Sequence, residues 1–163
     1  RRFCTHCGPT RHLSSPQSGL LPQPASRSWS LSARDGLKVV EVQFRDAAGD
    51  VAAAGDTVVF DSKRPTPTGA RAVSVRRGAK ATLRFRINDP TPSSGSATVK
   101  IVVRTIRGKS VKSVTLKNRP VGTVLKYRFV CKLRKGSYRY VIYATDAAGN
   151  TQTRVARNIL RVR

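Results

Sequence analysis

From Tyr138 onward the chain alternates with a period of two: Tyr138, Tyr140, Ile142 and Ala144 fall on one side, and Arg139, Val141, Tyr143 and Thr145 on the other. Successive side chains of a strand point to opposite faces, so this stretch predicts a strand with the first set turned to a core. The same alternation runs through the second half of the chain. Ala81, Leu83, Phe85 and Ile87 alternate with Thr82, Arg84, Arg86 and Asn88, and Ala97, Val99, Ile101 and Val103 form the next apolar row. Val111 to Leu116 returns after a turn at Arg107-Gly108-Lys109, and Leu125, Tyr127, Phe129 and Cys131 follow the break at Pro120 and Gly122. Ala72 to Val75 in front and Thr151 to Val162 behind, with Val155, Ile159 and Val162 inward, bring the prediction to seven strands, and no segment has the helical period. Short strands with one apolar face each, separated by turn signals about every ten residues, predict two packed antiparallel sheets.

An internal copy sets the domain organisation. Residues 46–50 read DAAGD and residues 146–150 read DAAGN, one hundred positions apart, each after an alternating apolar run (Val40, Val42, Phe44 and Tyr140, Ile142, Ala144). That period matches one β-sandwich domain of roughly 100 residues and exceeds the common solenoid repeats. Residues 68–163 are therefore expected to form a complete sandwich, and residues 28–61 the last strands of another. In the partial copy the pattern predicts a strand opening at Trp29 and Leu31, a hairpin-type turn at Asp35-Gly36, a strand from Val39 to Arg45 and one more from Thr57 to Phe60. Residues 62–67 are polar and proline-bearing, and the X-Pro steps favour extended backbone, so they read as a linker. Residues 1–27 show neither period and are expected to be a disordered basic tail.

Leu133-x-x-Gly136-x-Tyr138 stands where the sixth predicted strand begins, and there it resembles the tyrosine corner of immunoglobulin-like (Ig-like) and fibronectin-III-like sandwiches, whose Tyr hydroxyl bonds upstream backbone. With the turn Asp146-Ala-Ala-Gly149-Asn150 the run resembles the Ig-like repeats of bacterial secreted and cell-surface proteins. The resemblance covers residues 68–163 in full and 29–61 in part. The first copy carries Ala33 and Lys38 where the second has Leu133 and Tyr138, so it lacks the corner. The resemblance implies an all-β, Ig-like antiparallel sandwich preceded by the last strands of a second one. It further implies a non-catalytic spacer or adhesion module in a larger extracellular bacterial protein, with neighbouring Ig-like domains of the same parent chain as partners. Leu133, Gly136 and Tyr138 take structural roles in it.

Charge changes the picture of the partners. The 163 residues include 32 Lys+Arg against 8 Asp+Glu, and a formal charge of +24 attracts any polyanion without regard to its sequence. Anionic cell-wall polymers are expected partners on that ground. Sequence-specific nucleic-acid recognition is not: the outward rows hold Arg84, Arg86, Lys100, Arg104, Lys126 and Arg128, but Tyr143 is the one outward aromatic available for stacking. A basic nucleic-acid-binding module is the alternative reading. There is no Met and no apolar run near the roughly 20 residues of a membrane span, which reads as a fragment of a longer chain without a span.

Catalysis is not expected, because both histidines lie in the tail and the single glutamate, Glu41, faces outward. Cys4-x-x-Cys7 with His6 and His12 offers half a zinc donor set without a matching second pair, and reads as incidental; Cys131 has inward parity and reads as a small core hydrophobe. The acids are more informative. Asp46 and Asp146 can accept bonds from backbone further along their turns, and Gly49 and Gly149 supply positive φ, which is a purely structural use of Asp146 and Gly149. In a sandwich, however, the loop after the second strand (Asn88, Asp89) and the loop after the sixth (Asp146, Asn150) lie at one end, where the connector with Asp61 also arrives. Asp61, Asp89, Asp146 and Asn150 thus form a candidate site for Ca²⁺, a hard cation that takes six to eight oxygen ligands. No other cofactor is expected.

Overall fold

The computed structural model describes residue 28 and residues 30–163; the expected tail 1–27, its Cys4, Cys7, His6 and His12, and Trp29 lie outside the described residues. All regular structure among the described residues is β. In chain order the strands are β1 (Gly36–Arg45), β2 (Val51–Phe60), β3 (Thr66–Thr68), β4 (Val73–Val75), β5 (Lys80–Asn88), β6 (Ser96–Thr105), β7 (Ser110–Pro120), β8 (Val124–Val130), β9 (Gly136–Asp146) and β10 (Ala156–Val162). They form a hairpin β1-β2, a five-stranded sheet ordered β4-β10-β9-β6-β7 and a three-stranded sheet ordered β3-β5-β8. Neighbours pair antiparallel except β4, which runs parallel to β10 at the edge of the larger sheet.

The two larger sheets face each other over one core, which makes the unit an Ig-like β-sandwich. Leu83, Phe85 and Ile87 from one sheet and Val99, Ile101, Val103, Tyr140, Ile142 and Leu160 from the other belong to a single buried cluster. The alternation that predicts these rows is also what packs them, since only one parity of each strand can reach the space between the sheets. Tyr138 is buried beside them, and its hydroxyl donates to the Arg134 carbonyl at 2.8 Å, within the stretch that opens β9. The Tyr140 hydroxyl is also used, donating to the Arg71 carbonyl. Burial pushes the Tyr140 phenol above its ordinary pKa of 10.0.

Five expectations are corrected. Residues 62–67 are not wholly linker: Pro65 is fully buried, and Thr66–Thr68 pairs with β5 (Pro67 opposite Ile87) as an eighth strand of the sandwich. A proline cannot donate to a ladder, but β3 is an edge strand, where the missing donor is tolerated. The strand expected to open at Trp29 and Leu31 is absent over the described residues 30–35, and Asp35-Gly36 is no hairpin turn, because Gly36 already pairs with Phe60. The second strand of the partial copy spans Val51–Phe60 rather than Thr57 to Phe60, since pairing with β1 holds its Ala- and Gly-rich half extended. In β10 the inward residues are Leu160 and Val162, with Leu160 opposite Tyr138, so Ile159 falls on the outer parity and Val155, ahead of the strand, is exposed.

Candidate metal centre at the tip of the sandwich

Three of the chain's eight acids meet at one end of the sandwich. Asp61 follows β2, Asp89 follows β5 directly, and Asp146 is the last residue of β9, so three separate ladders deliver them to one place. One carboxylate oxygen from each lies within 4.8 Å of the other two. Asp61 and Asp146 are buried, at 5% and 4% exposure, and Asp89 is half-buried. The ion pair of Lys63 with Asp35, at 3.3 Å, lies elsewhere, and among the described residues no Lys or Arg forms an ion pair with the trio.

Backbone and small polar side chains hold the three carboxylates in place. The Asp61 oxygens accept the Lys63 N–H at 2.9 Å and the Ser94 N–H at 3.2 Å. Asp146 Oδ1 accepts the Asn150 N–H at 2.7 Å, and its Oδ2 accepts Asn150 Nδ2 at 2.9 Å. Asp89 Oδ2 accepts the Ser93 hydroxyl at 2.7 Å, while Asp89 Oδ1 is buried and has no hydrogen-bond partner. Ser94 also ties the loops to one another, because its hydroxyl accepts the Ala147 N–H at 3.1 Å. Positive φ at Gly149, 87°, lets the turn close so that the Gly149 N–H reaches the Asp146 carbonyl at 3.2 Å.

The electrostatics follow from burial without a counter-charge. Desolvation raises the Asp89 carboxyl above its ordinary pKa of 3.8, the charges of Asp61 and Asp146 push the same way, and the Ser93 hydroxyl opposes them. A carboxylate oxygen offers about two lone-pair sites, so each oxygen that already accepts one N–H or O–H keeps one for another partner. The donors of the trio are all oxygen and carry negative charge, a set that suits Ca²⁺ or Mg²⁺ and not the softer transition metals.

Asn150, expected as a fourth ligand, is buried beside the trio and links two of its members. Its Nδ2 donates to the Asp61 carbonyl at 2.9 Å as well as to Asp146 Oδ2, which makes this buried amide a strap between two of the acids. Sequence reasoning missed Ser93 and Ser94 altogether. The signal available was the pair of hydroxyls four and five residues after Asp89 in a Pro-rich loop, where short polar side chains bond neighbouring carboxylates and backbone. The remaining structural residues lie away from the trio: Leu133 packs half-buried against the core, and Gly136, with φ of 145°, begins β9.

No protein-family model matches the sequence, and no curated protein is similar to it. Among solved structures, the CARDB domain of a Pyrococcus furiosus protein, crystallised in complex with di-metal ions, is similar over 64% of this chain and 97% of its own at 18% identity, with a TM-score of 0.44. A solution structure of the same Pyrococcus furiosus domain matches 61% of this chain and 96% of its own at 16% identity and a TM-score of 0.41. An endonuclease/exonuclease/phosphatase from Beutenbergia cavernae DSM 12333 matches 76% of this chain and 34% of its own at 14% identity and a TM-score of 0.34. No helix among the described residues is long and apolar enough to cross a membrane.

Proposed function

We propose that the chain is a non-catalytic Ig-like spacer or adhesion module of a larger extracellular protein, and that a Ca²⁺ ion held by Asp61, Asp89 and Asp146 stiffens its junction with the preceding repeat. The observation that carries this reading is the convergence itself: three carboxylates from three separate elements, two of them buried, without a cationic side chain among them. Asp61 is the first residue of the chain segment that leaves the hairpin, whereas Asp89 and Asp146 belong to the sandwich proper. A cation bound to all three ties the connector to the tip and offsets their mutual repulsion. The three carboxylates supply part of a six- to eight-oxygen shell, and water completes it. Residues 36–60, a lone hairpin carrying the first DAAG turn, read as the end of that preceding repeat.

The test is thermal unfolding of the full chain in EDTA and across a Ca²⁺ titration. Binding to the folded state alone stabilises by RT ln(1 + [Ca²⁺]/Kd), about 2.7 kcal/mol at a hundredfold excess over Kd, so Tm should rise with concentration and saturate. Asp89→Asn should abolish the rise. A Tm indifferent to millimolar Ca²⁺, or a rise of equal size in Asp89→Asn, rules the reading out.

A further inference from the structure

The outer face of the five-stranded sheet is the opposite of the tip: it gathers positive charge with nothing to neutralise it. Of all residues in β4, β10, β9, β6 and β7, Asp146 is the only carboxylate, and it is committed to the tip. Arg104 and Arg139 are direct partners in the β6–β9 register, so two guanidinium groups share one rung. Like charges set directly opposite destabilise a sheet, and here no acid relieves them. Arg104 Nε is buried without a partner, and its Nη2 reaches only the Tyr143 hydroxyl, at 3.5 Å.

Along β10 this charge lines a furrow. One cleft of about 300 Å³ is bounded by Arg139, Arg157, Asn158 and Ile159, and a second of about 270 Å³ by Val73, Ser74, Ile159, Arg161 and Arg163 among others. Ile159 belongs to both and is 40% exposed, so the two clefts run on either side of a single aliphatic ridge. From position 157 to 163 the furrow extends roughly 20 Å, at about 3.3 Å per residue. The side chains of Arg139, Arg157 and Arg161 make no hydrogen bond or ion pair among the described residues; Arg163 Nε donates to Ser74 Oγ at 2.7 Å.

We infer that this furrow binds an extended acidic polysaccharide whose repeating units carry carboxylates. Four guanidinium groups spread over roughly 20 Å fit a linear chain of anions better than one small ion. Guanidinium forks pair with planar carboxylates through two parallel hydrogen bonds. Between the charges lies Ile159, which offers an aliphatic surface for the C–H face of a sugar ring. A single-stranded nucleic acid needs aromatic platforms for its bases, and no aromatic side chain lines either cleft. The inference does not depend on the cation at the tip.

The experiment is calorimetric titration of the full chain with a galacturonate oligomer of defined length at about 0.15 M salt, where charges beyond about 8 Å are screened. Binding should survive this salt, and Arg139→Gln/Arg157→Gln should weaken it at least about tenfold, a factor equal to about 1.4 kcal/mol. Arg84→Gln/Arg128→Gln, which removes the same charge from the exposed face of the other sheet, should leave it unchanged within about twofold, the spread of surface substitutions away from a contact. If the glutamine pair does not fold, Arg139→Lys/Arg157→Lys replaces it; this pair keeps the charge, loses the fork and should still weaken binding. No binding at this salt overturns the proposal. So does equal weakening by the two arginine pairs, or single-stranded DNA binding as tightly as the galacturonate oligomer.

Discussion

The turns Asp46 to Asp50 and Asp146 to Asn150 have nearly the same sequence and the same backbone. In both, the first residue's N–H donates to the last residue's carbonyl at 3.0 Å and the glycine N–H to the first carbonyl at 3.2 Å. The last N–H reaches the first aspartate's Oδ1 at 2.9 Å in one turn and 2.7 Å in the other. Even the rung that follows is the same, Arg45 opposite Val51 and Thr145 opposite Thr151. Yet the first turn is exposed throughout, while Asp146 and Asn150 are buried. The strands that lead into them differ in the same way: Val39 and Phe44 of β1 are 70% and 60% exposed, and Tyr140 and Ile142 of β9 are fully buried. A pentapeptide builds the turn by local bonds alone; the acidic site needs a second sheet to bury the turn and two other loops to bring Asp61 and Asp89.

The ladders diverge after that shared rung. In the hairpin, β1 and β2 keep one register from Arg45–Val51 to Gly36–Phe60. In the sandwich, Ala144 still bonds Gln152 through both backbone and side chain, and then the chain slips so that Ile142 meets Ala156. Continuing the hairpin's register would have placed Arg154 opposite Ile142; two extra residues after Gln152 take up the slack. The slip keeps antiparallel pairing going and leaves β10 with Leu160 opposite Tyr138, inside the core.

The largest test of the comparison is at the position where the copies differ most, Tyr138 against Lys38. Tyr138→Ala should lower the stability of the sandwich by about 3–5 kcal/mol, since a buried ring is lost and the Arg134 carbonyl loses its donor. Lys38→Ala should cost no more than about 1 kcal/mol, the upper range of a solvent-accessible polar interaction. Urea unfolding of the full chain gives both values, and equal losses would erase the distinction between a packed copy and an open one.

The next exchanges the last residue of each turn. Asn150→Asp converts the second turn to the sequence of the first; it strips two buried acceptors of their donor, the Asp61 carbonyl and Asp146 Oδ2, and adds a fourth carboxylate. At about 1–3 kcal/mol for each unmet group, a loss of about 3 kcal/mol is expected in EDTA. Asp50→Asn, the reverse change in the exposed turn, should stay within about 0.5 kcal/mol. If both exchanges are silent in urea unfolding, burial adds nothing to the second turn.

The sandwich was legible wherever one face is dry, because there the alternation is strict: Ala81, Leu83, Phe85 and Ile87 are all buried, as are Ala97, Val99, Ile101 and Val103. β3 was hidden because Pro67 reads as linker from its neighbours, and only an edge position makes a proline acceptable in a ladder. The long β2 was hidden because VAAAG has no alternation of its own and is extended by its partner. At the tip, loop order was enough to bring Asp61, Asp89 and Asp146 together. The bridge made by the Asn150 amide nitrogen was not readable, because only the positions of the Asp61 carbonyl and Asp146 Oδ2 decide where that nitrogen donates.

The smallest effect carries the comparison into pH. Asp89 at the tip and Asp35 at the foot of the hairpin are shifted in opposite directions. Burial, aided by Asp61 and Asp146, raises Asp89 above 3.8. Hydrogen bonds from the Ser62 hydroxyl and N–H, with Lys63 nearby, lower the half-buried Asp35 below 3.8. A raised carboxyl holds its proton more tightly when folded, so its contribution to stability falls as pH rises from 3.8 through the folded value, and the full penalty is present above it. A lowered carboxyl does the reverse: its stabilisation is complete above 3.8 and is lost as pH falls through its folded value. In EDTA, Asp89→Asn should therefore gain on the parent chain as pH rises from acid to neutral, by less than the Asn150→Asp effect, whereas Asp35→Asn should fall behind it over the same range. The difference between variant and parent in urea midpoint, followed across pH, isolates each group from the other carboxylates. Difference curves of the same sign would mean that the tip carries no excess of buried negative charge, and the contrast between the two regions would reduce to packing alone.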